Sequence, residues 1–300
     1  MHAPPIIVLG APSAAPSRVA AMLGAHPVAI ALPELRLFMA DTVGELLEIF
    51  EVGGSGYADG LLRTVAVLEF GDDDDQHIVR AGHWLKRRAD YRGGELLDYF
   101  AAQLAPRRLV TVDTETGWHP NSVDRLHQHC PDAQLLQIVN HPRPYCRTTA
   151  TALAGRLFVA PDYKDYAVTP PVIDPQLAWL RIHCNLQRLV RMFPEVQARW
   201  LRIEDLHVAP EPNLAALCAW LGWPAERRML EAMQQPGSGR FCRHGPPLAP
   251  GGFDPEFLRA PDFERHLPLR ETLDGEIEWR SGGRQFDPEL AEQARALGYR

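Results

Sequence analysis

IIVLGAPSAAPSRVAAMLGAHPVAIALPELRLF, residues 6–38, decides the fold. Ile6 to Leu9 is a short apolar run rich in β-branched residues. It stops at Gly10, the pattern of a buried parallel strand. A short loop follows, then a helical stretch from about Ser17 to Gly24. Strand, loop and helix in that order are how nucleotide-binding α/β domains open.

The same alternation continues outward. Leu109 to Asp113, Leu135 to Val139 and Trp200 to Ile203 read as further strands. Residues 42–52, 58–70, 94–104, 177–193, 212–221 and 288–297 carry apolar positions at helical spacing. Gly222 and Pro224 are the stop signals after the helix at 212–221. Strands alternating with helices predict one α/β domain over residues 1–300, with a mainly parallel sheet of four to five strands. From about 236 to 283 the chain is rich in Gly, Pro and charge, which predicts either a long covering loop or a disordered stretch. GDDDDQH, Gly71 to His77, reads as a solvated loop or helix start, because like charges repel.

Composition sets limits. A net charge of -7 argues against nucleic acid as the main partner. No apolar run is long enough for a membrane span, and MHAPPIIVLG lacks the features of a signal peptide. Five scattered cysteines, none in a CxxC pair, suit reduced thiols, so a cytoplasmic location without a zinc site is expected. No HExxH or equivalent spacing predicts any other metal.

Five segments make the pattern specific. Residues 6–38 have a strand, a G-x-P loop, a helix, then G-x-H-P and P-E-L. LLQIVNHPRP (135–144) is a strand and turn. WLRIEDLHVAPEPNLAALCAWLGWP (200–224) is a strand, an E-D-L turn and a helix. GPPLAPGGFDPEFL (245–258) and DPELAEQARALGYR (287–300) complete the set. Together they resemble bacterial sulfotransferases along nearly the whole chain. The resemblance implies a three-layer, P-loop-like fold and transfer of a sulfuryl group from 3′-phosphoadenosine 5′-phosphosulfate to a hydroxyl. The implied acceptor is a small molecule or a carrier-protein-tethered intermediate of natural-product biosynthesis. Such chemistry is positioning plus charge stabilisation.

The donor loop departs from the family's approximate pattern G-x-P-R-S-G-T-[ST]. The family's Arg is Ser13, its Gly is Ala15 and its Thr is Pro16, while Ser17 keeps the hydroxyl. Proline deletes one N–H donor. In the family's R-D-P-R turn the first Arg is Asn140, followed by His141, Pro142 and Arg143, with Thr148 in a Ser position. In VDTETGWHP (112–120) the family's Lys is Thr114, followed by Glu115. Each lost charge-assisted contact forfeits about 1.5–3 kcal/mol. Three such losses weaken donor binding by roughly three powers of ten unless something replaces them. Ser13, Ser17, Arg18, Arg143, Thr148, Arg240 and Arg243 are the candidates for holding the donor, with Arg147 a further replacement.

Glu34, Glu115, His119 and His141 are the catalytic candidates. The last three follow strands, where open α/β sheets place their ligands. Each also has a plain reading as a surface or helix-start residue. Glutamate with histidine is a workable acid–base set near neutral pH. His26 reads as structural, since it follows the first helix. GGSGY at 53–57 is not a nucleophile elbow. Three functions stay open: an active sulfotransferase with substituted contacts, a donor-independent acid–base enzyme performing elimination, dehydration or cyclisation, and a non-catalytic binding protein.

Overall fold

The computed structural model describes residues 2–54, 56–265 and 271–300. In chain order the first elements are β1 (Ile6–Gly10), α1 (Ala14–Gly24), β2 (Ala29–Leu32), α2 (Val43–Gly53), α3 (Asp59–Phe70), α4 (Asp75–Lys86) and α5 (Gly93–Leu104). Then come β3 (Arg108–Asp113), α6 (Pro120–His129), β4 (Gln134–Val139), α7 (Pro142–Leu153) and a small hairpin, β5 (Lys164–Asp165) and β6 (Val172–Ile173). The chain continues through α8 (Gln176–Met192), β7 (Ala198–Arg202), α9 (Ile203–Val208), α10 (Pro210–Leu221), α11 (Arg227–Met233), α12 (Pro255–Arg259) and α13 (Pro288–Ala296).

Five strands form one sheet in the order β2-β3-β1-β4-β7. All four pairings are parallel. Ile6, Ile7, Val8 and Leu9 of the central strand are fully buried. This is why the strand reads as an unbroken apolar run rather than an alternating one. From β1 the chain passes to one side of the sheet, to β2, and from β3 it crosses β1 to reach β4. The carboxyl ends of β1, β3 and β4 are therefore neighbours at a switch point, where such sheets bind ligands.

The structure differs from the sequence reading in several places. β2 and α6 carried no clear signal: the first is only four residues long, and the second is polar and rich in histidine. α1 begins at Ala14, three residues earlier than predicted, with Ser13 as its N-cap. The acidic run at 72–75 is not wholly solvated. Asp74 caps α4 by accepting from the His77 amide (3.0 Å), but Asp73 is buried against Nε of the fully buried Arg63 (2.8 Å). α10 ends where predicted, with Gly222 in the left-handed region at φ 71°. His26 is buried, stacks on Trp223 at 4.9 Å and bonds the Pro224 carbonyl, a structural role.

The segment expected as a covering loop, 236–283, includes residues 266–270, which lie outside the described residues. Its described parts are tied down rather than loose. The Gly251 amide donates to Asp59 (2.7 Å), and the Glu34 amide donates to the Gly252 carbonyl (2.7 Å). Arg63 donates to the Gly251 carbonyl (2.7 Å). Asp254 caps the short α12 that packs on α1. Further on, Arg280 pairs with the buried Asp174, which also accepts from Trp279 (3.0 Å).

Candidate active site

The loop after β1 leads straight into α1. A helix start offers free amide donors in its first turn. Here those of Ala14 and Ala15 remain, and Pro16 has none. The Pro16 ring also packs over Gly10, where a β-carbon would lie 2.6 Å from Pro16 Cγ. The Ser13 hydroxyl donates to the Ala11 carbonyl (3.2 Å) and accepts from Asn140 Nδ2 (3.2 Å). Ser17 is buried and accepts from the Asp254 amide (3.0 Å).

The arginines expected to restore charge are engaged elsewhere. Arg18 donates to the Ala260 carbonyl (3.2 Å). Arg143 is buried and donates to three carbonyls, Thr272 and Asp274 at 2.8 Å and Glu276 at 2.7 Å. Arg147 pairs with Glu271 (2.9 Å) and Glu278 (3.3 Å). Arg240 donates to the Gly71 carbonyl and Asp72, both at 3.0 Å. Arg243 joins Arg240 in lining a separate hollow. A cavity of about 680 Å³ lies against Ser13–Ala15, with Thr148 on its wall. Among the described residues its charged lining is Arg156 and Arg259 against Glu204, Asp254 and Glu256. A polyanionic nucleotide is poorly matched to that balance. The residues present do not fit the phosphosulfate donor.

A second group forms where β3 ends. The Asp113 carboxylate accepts from the amides of Glu115 (2.9 Å) and Thr116 (2.7 Å) and from the Thr116 hydroxyl (2.7 Å). This local turn presents Thr114 and Glu115 at the strand end. Oε1 of Glu34 accepts from both the amide and the hydroxyl of Thr114, each at 2.6 Å. Arg36 joins the two glutamates: Nη2 lies 2.9 Å from Glu34 Oε2, and Nε lies 3.4 Å from Glu115 Oε1. Its guanidinium also donates to the Tyr57 carbonyl (3.0 Å) and sits 4.6 Å over the Tyr57 ring. Arg36 holds φ at 55°, a left-handed conformation costly for a side chain of its size.

Glu34, Arg36, Tyr57 and Glu115 line a cavity of about 460 Å³, closed on another side by His244 and Phe253. Burial raises the Glu115 carboxyl, the Glu34 charge adds to this, and Arg36 opposes both; the result is about 7. Burial, with help from Glu34, raises Asp113 to about 6. The charge of Glu115, followed by burial, pushes up the Tyr57 hydroxyl.

Of the four catalytic candidates, Glu34 and Glu115 meet here. His119 is exposed at the N-cap of α6 and belongs to the lining of neither cavity. His141 is buried in a third place, a cavity of about 900 Å³ shared with Trp200 and Tyr299. Its Nδ1 accepts from the Arg143 amide (3.1 Å), its own amide donates to Glu204 (2.7 Å), and its ring meets Tyr299 edge-on. Burial holds its imidazole down at about 4. Arg36 and Tyr57 were not found from the sequence. The only hint was an arginine two residues after Glu34, and nothing local tied it to Glu115.

Parallel strands around a strand–loop–helix opening, with a group of carboxylates at the neighbouring strand end, define an open α/β scaffold. The chain belongs to the sulfotransferase family, whose model matches residues 4–227. It is similar to the sulfotransferase domain from the curacin biosynthetic pathway, at 20% identity with a TM-score of 0.73, covering 100% of this chain and 99% of that one. It is also similar to the sulfotransferase domain from the Synechococcus PCC 7002 olefin synthase, at 22% identity with a TM-score of 0.72, covering 100% and 97%. At these identities the likeness shows the fold alone. No curated protein matches the chain. Among the described residues no helix is long and apolar enough to cross a membrane.

Proposed function

We propose that this member of the sulfotransferase family is a donor-independent enzyme that moves a proton on a small or carrier-tethered metabolite, with Glu115 as general base. The observation that carries this reading is Glu115 itself, a carboxyl near pKa 7 lining a cavity beside a donor loop that lacks its cations. A base titrating near the working pH is well matched to its task. Thr114 supplies two donors to Glu34, so Arg36 divides its remaining attraction between the two glutamates. When Glu115 takes a proton from a substrate carbon or hydroxyl, its repulsion with Glu34 disappears. In a dehydration the C–H electron pair becomes the new double bond, the C–O bond breaks, and Glu115 returns the proton to the departing oxygen as water.

A second reading, sulfuryl transfer, draws on the cavity of about 680 Å³ that lies where the family resemblance puts the donor. Calorimetry with 3′-phosphoadenosine 5′-phosphate separates the two. The expected result is no heat at millimolar ligand. Micromolar binding overturns the donor-independent reading in favour of sulfuryl transfer.

A further inference from the structure

The cavity against Ser13–Ala15 lacks the arginine of the family loop but keeps its space. At about 680 Å³ it is the size of sites that enclose drug-sized molecules. Of its charged lining residues, Glu204 and Asp254 are committed within the protein, while Glu256, Arg156 and Arg259 are exposed. Glu204 accepts from the His141 amide (2.7 Å) on one oxygen and from the Tyr299 hydroxyl (2.9 Å) on the other. Asp254 accepts from the Glu256 and Phe257 amides of its own helix. Arg156 and Arg259 each turn Nε back on a carbonyl four residues earlier. Ser13 and Asn140 bond each other.

The rest of the wall is largely apolar. Ala14 and Ala15 come from the start of α1, Tyr145 and Leu153 from α7, Ile203 from α9 and Pro255 from α12. Pro12, Asp254 and Pro255 line this cavity and also the one that contains Glu115. The two spaces therefore share a wall and lie side by side.

We infer that the former donor cavity is a substrate subsite that takes an uncharged, apolar arm, an alkyl chain or ring system, while the polar reacting end of the same molecule lies at Glu115. This rests on the donor-independent reading and names its substrate class: amphipathic, neutral at the far end and not a nucleotide. An apolar wall rewards buried hydrocarbon, and among the described residues its two arginines face three carboxylates, a balance that disfavours a phosphate.

Nile red, a neutral apolar fluorophore, is the probe. It is titrated into the full chain and into three variants. Leu153→Asp places a carboxylate in the wall from a half-buried helix end, and Thr148→Glu does so from an exposed position on α7, so one variant remains if the other fails to fold. Val196→Asp, exposed at the opposite end of the sheet before β7, is the control. The expected result is saturable binding at one site, weakened roughly tenfold or more by either wall variant and unchanged in the control. Decanol displaces the probe, and 3′-phosphoadenosine 5′-phosphate does not. Absence of saturable binding, or equal binding in all folded variants, overturns the subsite and leaves the role of Glu115 standing. Displacement by the nucleotide overturns both. Glu115→Gln binds the probe like wild type, so loss of its chemistry is read separately from loss of the subsite.

Discussion

The backbone amide of Asp254 donates to the hydroxyl of Ser17 at 3.0 Å. Ser17 is the one polar side chain of the donor loop that matches its family position, and the covering segment has claimed it. Ser17→Ala leaves the Asp254 amide without its acceptor and costs about 1 kcal/mol. Hydrogen exchange at 254–258 should quicken in the variant. Unchanged exchange would show that the segment is held by its other contacts alone.

Glu115→Gln removes the base. Wild-type turnover should rise with pH through about 7, because only ionised Glu115 accepts a proton. The glutamine variant should lose roughly 10²-fold or more in rate and lose that pH step. Carbon-13 carboxyl shifts check the titration without a substrate. A wild-type protein with no carboxyl midpoint near 7 would remove Glu115 from this role.

Arg36 draws Glu115 toward its charged form. Arg36→Met should therefore raise the Glu115 midpoint above 7, as burial and Glu34 act unopposed. Arg36→Lys keeps the charge but loses the fork that reaches both glutamates, so its midpoint should fall between the two. The same carboxyl titration reads both variants, and a midpoint insensitive to either would show that Arg36 only braces the Tyr57 loop.

Stability should respond to pH in two opposed ways. Glu115 and Asp113 are raised from ordinary values of 4.5 and 3.8 to about 7 and about 6. Their contribution is complete below about 4 and lost as pH rises through 6 to 7. His141 is lowered from 6.5 to about 4, so its contribution is complete above 6.5 and lost as pH falls toward 4. The histidine share is roughly 3 kcal/mol. Urea midpoints across this range should flatten on the alkaline side in Glu115→Gln and on the acid side in His141→Gln. Parallel curves for wild type and a variant would exclude that group as a source.

Arg143→Met strips the donors from three carbonyls, at Thr272, Asp274 and Glu276. The expected loss is at least about 3 kcal/mol in urea unfolding, since hydrogen bonds to charged groups are the stronger kind. A loss under about 1 kcal/mol would mean that the 271–280 stretch is held mainly by Arg280, Trp279 and Asp174.

The sequence by itself determined four of the five strands of the sheet and its opening. Ile6–Leu9 and, apart from the buried Gln137, Leu135–Val139 are apolar runs buried on both faces, and burial of that kind writes itself into consecutive apolar residues. Gly222 ends α10 because a left-handed backbone is a local demand with a local residue preference. It also showed, residue by residue, where the loop after β1 departs from the family pattern. Tertiary structure alone decided what the remaining groups do. Arg18, Arg143, Arg147 and Arg240 looked available in the sequence and are each held by a partner 124 to 242 residues away. Glu34 and Thr114 are 80 residues apart and bonded, whereas His119 and His141 follow strands like Glu115 but lie elsewhere. The reason is physical. Periodicity records which side of an element is buried, while a hydrogen bond or a shifted pKa depends on distances set by packing between elements, and no spacing in the sequence encodes those.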